Sequence, residues 1–145
     1  MQRLVSVTLL LLLFLGMTVL INAPKDDLLT LSVANTTLHV EVAETPAERE
    51  KGLSGRQALG QSDGMLFLFE TDGLHGFWMP DMYLSLDIIW LNADKTVVHI
   101  EHNVSPDSYP AIFTSTEPAR FVLELAAGES EHLGITNGSR FSWSD

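Results

Sequence analysis

The chain is 145 residues long, enough for one domain with a sizeable core but not for two. It contains no cysteine, which excludes disulfides, a thiol nucleophile and thiolate metal sites. A formal net charge of -11 has the wrong sign for a phosphate-backbone binder, so nucleic acid is not expected among its partners.

Residues 1–23 read as a signal-anchor or signal peptide. Arg3 precedes Leu4–Ile21, an uncharged, strongly apolar run. As a helix rising about 1.5 Å per residue, it would span roughly 27 Å, close to the hydrocarbon thickness of a bilayer. Ile21 stands where a cleavage site ending at Ala23 needs a small residue, and Pro24 follows, so an uncleaved anchor is favoured over a cleaved signal. Arg3 ahead of the run favours a cytoplasmic N-terminus. The domain is therefore expected outside the cytoplasm (periplasmic or extracellular), tethered to the membrane, with export after cleavage as the alternative. Residues 24–30 read as a polar linker and residues 31–145 as the folded domain.

Leu31–Ala34 and Leu38–Val42 alternate apolar and polar residues around Asn35-Thr36 and predict a hairpin. Thr45, Pro46 and Glu48 compose a capping box at the start of a helix of one or two turns, which Gly52 ends. Leu53–Asp63 reads as a loop. Met65–Phe69 is short, apolar and aromatic-rich, and reads as a strand buried on both faces. Tyr83–Leu91 predicts a second strand, with Leu84, Leu86, Ile88 and Trp90 on one face and Ser85, Asp87, Ile89 and Leu91 on the other. These two strands are expected side by side at the centre of the fold, joined through Phe77-Trp78-Met79 and the break Pro80-Asp81. Thr96–His102 and Arg120–Leu125 predict further strands, the latter with Phe121, Leu123 and Leu125 inward and Arg120, Val122 and Glu124 outward. Gly128–Leu133 fits one helical turn, and Phe141-Ser142-Trp143 a final edge strand. The sum is a mainly β fold: a small single-domain barrel or sandwich of short strands with one or two short helices, preceded by an N-terminal hydrophobic helix.

Several short runs occur together in order: Glu41-Val42-Ala43, Gly52-Leu53-x-x-Arg56, Gly64-Met65-Leu66-Phe67, Phe77-Trp78-Met79, Leu86-Asp87-Ile88 and Val122-Leu123-Glu124-Leu125-x-x-Gly128. In these the chain resembles the prokaryotic domain-of-unknown-function family numbered 192, over about residues 38–143. The resemblance implies a small, mostly β, single-domain protein, often behind an export signal, and implies no activity. Where the family commonly has Lys-Asn-Thr after Trp78-Met79, this chain has Pro80-Asp81-Met82. Ser54 stands in place of the Met usual after Gly52-Leu53. A ligand contact made by Lys-Asn-Thr in relatives would not carry over.

Asp87 is the most informative polar residue, because a carboxylate in a buried strand needs a cation or several N–H donors. Arg56 is the expected cation, offering a bidentate guanidinium. Asp87 and Arg56 then form either a polar focus in an apolar cleft made with Trp78, or a pin that holds a loop to the barrel. Phe77, Trp78 and Met79 form either a ligand-gripping rim or part of the core. His75, on a Gly-flanked turn, is expected to be exposed and incidental. His99 and His102 face opposite sides of one strand, and His99 with Glu101 makes only two ligands, so no metal and no cofactor is expected. No Gly-x-Ser-x-Gly elbow and no glycine-rich phosphate loop occurs. The expected function is thus a membrane-tethered binding or accessory module for a small molecule or an envelope partner. A hydrolase using Asp87, with His75, as general acid or base is one alternative. A purely structural envelope protein is the other.

Overall fold

The alternating segments build strands β1 (Leu29–Val33) and β2 (Thr36–Ala43), paired antiparallel with Leu31 opposite Leu38. The computed structural model describes residues 28–144, so the expected signal-anchor and most of the expected linker lie outside the described residues. The hairpin turn is Ala34-Asn35, one residue earlier than expected, with Ala34 left-handed at φ 49°. Helix α1 (Pro46–Lys51) starts as its capping box dictates. Thr45 Oγ1 accepts from the Glu48 N–H, and the Glu48 carboxylate accepts from the Thr45 N–H at 2.8 Å. Gly52 ends it at φ 44°, and a Cβ there would stand 3.3 Å from the Phe67 ring.

The chain then crosses over through Leu53–Asp63 into β3 (Gly64–Gly73), which runs parallel to β2. Strands β4 (Leu86–Leu91), β5 (Val97–Val104), β6 (Ala119–Ala126) and β7 (Phe141–Ser142) complete one sheet of order β5-β4-β6-β3-β2-β1-β7. A short helix, α2 (Glu129–His132), follows β6. The sheet curls into a half-barrel. Its ends meet where Thr96 bridges Arg140 and the Phe141 N–H donates to the Lys95 carbonyl at 2.9 Å.

Two expectations are corrected. β3 and β4 are both central strands, but β6 lies between them and pairs antiparallel with each. The connection Leu74–Ser85 is far longer than a hairpin turn and leaves room for a third strand. Nor is the Val122–Glu124 face of β6 outward: both residues are buried. Leu66, Ile89, Leu123 and Leu125 pack on one face of the sheet against Leu31, Val40 and Phe141. On the other, Met65, Phe67, Ile88, Trp90 and Val122 are roofed by Leu53 from the crossover and Met79 from the β3–β4 connection. Among the described residues no helix is long and apolar enough to cross a membrane.

Candidate functional site

The roof over the second face leaves a cavity of about 260 Å³. Its walls are the C-terminal end of α1 with Leu53 and Ser54, Phe67 and Phe69 from β3, and Phe77, Trp78 and Met82 from the β3–β4 connection. Local contacts hold these walls in place. The Trp90 indole N–H donates to the His75 carbonyl at 2.9 Å, and Phe77 and Phe113 exchange two backbone hydrogen bonds of 2.8 Å. The Phe77 ring meets Phe67 edge-on at 4.9 Å. Ser54 Oγ donates to the Pro80 carbonyl at 3.0 Å and the Gly55 N–H to the Asp81 carbonyl at 2.9 Å, so the crossover and the connection are stitched together at the rim. Arg49 ties α1 to β3 by donating to the Leu68 carbonyl at 2.9 Å, with its guanidinium 5.0 Å from the Phe69 ring centre.

Glu124 also lines this cavity, from β6, where it lies opposite Met65 on β3 and Ile88 on β4. The residue is only 5% exposed, and among the described residues its carboxyl has no hydrogen-bond partner. No described side-chain oxygen is both sealed and unpartnered, so the Glu124 carboxyl keeps some access, and the residue lines this cavity. Burial pushes its carboxyl up to about 8. At neutral pH the group is therefore a neutral acid with an O–H to donate.

Of the residues singled out from the sequence, Phe77 and half-exposed Trp78 line the cavity, whereas Met79, Asp87 and Arg56 do not. Met79 is 1% exposed and belongs to the roof's packing, a burial that contributes about 2 kcal/mol. Asp87 faces the opposite side of the sheet from Glu124 and is fully buried. Its Oδ1 accepts from the Asn103 N–H at 2.9 Å. Its Oδ2 accepts from the Gly128 and Ser130 N–H groups at 3.0 Å each and from Ser130 Oγ at 2.6 Å. Burial raises the Asp87 carboxyl, but these hydrogen bonds, that of the Ser130 hydroxyl foremost, outweigh it and hold the group below its ordinary value. Arg56 is not its partner. The Arg56 guanidinium grips Glu41 on β2 through two hydrogen bonds of 2.5 and 2.8 Å, so Asp87 is satisfied by backbone and hydroxyl donors alone.

Ser130 Oγ also lies 3.0 Å from His102 Nδ1, bringing Ser, His and Asp together. The order is wrong for a nucleophile. The carboxylate binds the hydroxyl rather than the imidazole, so the serine proton goes to Asp87 and Ser130 is fully buried. His75 is half-buried, its ring stacked 3.5 Å from Phe69 and its Nε2 3.2 Å from the Thr71 carbonyl, and it shares no contact with Asp87. His99 Nε2 meets Glu101 Oε1 at 2.9 Å; among the described residues no three His, Asp or Glu side chains gather as metal ligands. Glu124, expected on an outward face with Val122, is the cavity residue that the sequence did not single out. Its signal was the apolar company on its own face of the strand, Val122 and Ala126.

A family model described as Uncharacterized ACR, the domain-of-unknown-function family 192, matches residues 29–143. Among curated proteins nothing matches. A solved structure named as that of a candidate transcription regulator from Sinorhizobium meliloti is similar at 37% identity and a TM-score of 0.73, over 80% of this chain and 92% of that one. A second, of a protein of unknown function from Novosphingobium aromaticivorans, is similar at 32% identity and a TM-score of 0.74, over 80% of this chain and 85% of that one.

Proposed function

This chain belongs to the domain-of-unknown-function family 192, and from that premise we propose that it is a binding module for a small apolar molecule, not an enzyme. The observation that carries the reading is the cavity between α1 and the β3–β4 connection. It has aromatic walls, a single buried polar side chain, Glu124, in its lining, and a rim braced by Ser54 and Gly55. Asp87 and Ser130, the best-placed reactive pair, are spent on each other and on the α2 backbone, which disfavours the hydrolytic alternative. The apolar run Leu4–Ile21 supports a domain tethered to the membrane and working outside the cytoplasm. The regulator name carried by the Sinorhizobium meliloti neighbour would call for a basic nucleic-acid face, and a net charge of -11 weighs against one here.

Native mass spectrometry of the full chain, purified from its own host, tests this reading. A retained small molecule is expected in the wild type and absent from Ser54→Trp, which places an indole in the cavity. A wild type that carries nothing, and whose Trp78 indole NMR signal is unmoved by apolar fragments, would overturn it.

A further inference from the structure

Resting on that reading, we propose that the cavity selects an uncharged apolar molecule bearing a carbonyl-type oxygen, and that the acid form of Glu124 donates the hydrogen bond that recognises it. The geometry narrows the ligand in three steps. Leu53, Phe67, Phe77, Trp78 and Met82 make an apolar wall, with the charged side chains of α1 on the other side of the lining. The one buried polar side chain in the lining is Glu124, whose carboxyl has no partner among the described residues and is not sealed off. A donor left unmatched in such a place is costly, so an occupant that accepts from it gains over one that does not.

Charge weighs against an ammonium here, and the cost of desolvation against a carboxylate. Helix α1 brings Arg49, Glu50 and Lys51 to the cavity. A ligand ammonium would meet two like charges there, and the Phe69 ring that could hold it is already engaged by Arg49 and His75. A ligand carboxylate would meet Arg49 and Lys51 on α1, but to reach Glu124 it would have to shed its hydration among the aromatic walls. No cation competes for Glu124 itself. Across β3 and β4 it faces Met65 and Ile88, flanked by Phe67, Leu86 and Trp90. Along its own strand the same face carries Val122 and Ala126, and then Arg120, whose Nε is held by Asp72 at 2.6 Å. The β3–β4 connection adds Gly76, Phe77, Trp78, Pro80 and Met82 around the cavity, none of them charged.

The experiment uses the full chain in detergent, with corrections for micelle partitioning, and follows the Trp78 indole signal. Three probes share a size: benzylacetone, the primary amine of the same carbon skeleton, and butylbenzene. At about pH 6 the ketone is expected to bind about tenfold tighter than butylbenzene, the worth of one well-made hydrogen bond. That advantage should vanish as pH rises through about 8, where Glu124 loses its proton. Glu124→Gln, whose amide still donates, should keep the advantage at every pH, and Glu124→Leu should lack it throughout. An amine that binds tightest, and gains as pH rises, would overturn the inference while leaving the cavity reading intact. So would three probes of equal affinity. Silence from all three would remove the cavity reading along with it. Should the variants not fold, the pH series on the wild type decides alone.

Discussion

Asp87 and Glu124 stand on neighbouring strands, both nearly or wholly out of solvent, yet they face opposite sides of the sheet and have opposite fates. Desolvation acts on both in the same direction, favouring the neutral acid. Around Asp87, three backbone N–H groups and the Ser130 hydroxyl reverse it. Around Glu124 nothing does, and its carboxyl is raised to about 8. At Asp87 the donors within reach outweigh burial, whereas at Glu124 a heavier burial stands unopposed. The fold uses one carboxyl as a structural hub that ties Asn103 and the turn into α2 to the sheet. It leaves the other idle in the lining of a cavity, which is why the idle one is the better candidate for work on a ligand.

The strongest way to break the comparison is to remove the hub. Asp87→Ala strands three N–H groups and a hydroxyl in the interior and is expected to cost about 3–5 kcal/mol, measured by urea unfolding near neutral pH. Asp87→Asn should fall close behind, because its amide N–H₂ points a donor at donors. A loss below about 1 kcal/mol for either would mean that the cage is not holding the turn. The pH sign is fixed by the lowered carboxyl. Its contribution is present above about 3.8, the ordinary value, and is lost as pH falls through the lower folded value.

Glu124 gives the opposite limb. Its folded pKa of about 8 lies above the ordinary 4.5, so the folded state holds a proton that the unfolded chain has released. Stability should be full below about pH 4.5, fall as pH rises, and level off above about 8. Between pH 4.5 and 7 the slope amounts to about 3 kcal/mol, so the optimum should sit near pH 4–5, below the usual range. Glu124→Gln should flatten this limb and leave the Asp87 limb alone. If the wild type is flat from pH 4.5 to 8, the two carboxyls are not the contrast drawn here.

Much of this architecture was legible because period-two patterning is local. The expected strands Leu31–Ala34, Leu38–Val42, Met65–Phe69 and Tyr83–Leu91 correspond to β1–β4, although β1 stops at Val33 and β4 starts only at Leu86, and the Thr45-Pro46-Glu48 signature places the start of α1 to the residue. Strand order was not legible, since the insertion of β6 between β3 and β4 is a non-local pairing that no short run encodes. The site was half legible. Aromatic Phe77 and Trp78 sit at the cavity, but Arg120 and Glu124 share a parity that reads as a solvated face, and this masked the apolar Val122 between them. The partner of Asp87 was hidden for another reason. Backbone N–H groups leave no mark on a sequence except at Gly128, which takes the left-handed φ of 89° that turns its amide toward the carboxylate.

The same point makes Arg56 the finest test. An arginine near a buried aspartate invites the inference of an ion pair, yet its partner is Glu41, whose carboxyl is lowered first by the hydrogen bond from Arg56. Both side chains are 32% exposed, so solvent screens the pair and its worth is at most about 1 kcal/mol despite the bidentate geometry. Arg56→Ala should therefore cost about 0.5–1 kcal/mol, and added salt should erase most of the difference from wild type. The acid limb of Asp87 should be unmoved, because every donor to that carboxylate comes from Asn103, Gly128 or Ser130. A loss as large as that of Asp87→Ala, or a shifted acid limb, would show that the guanidinium reaches across the sheet after all. The distinction between a hub satisfied by its own backbone and an idle acid would then have to be redrawn.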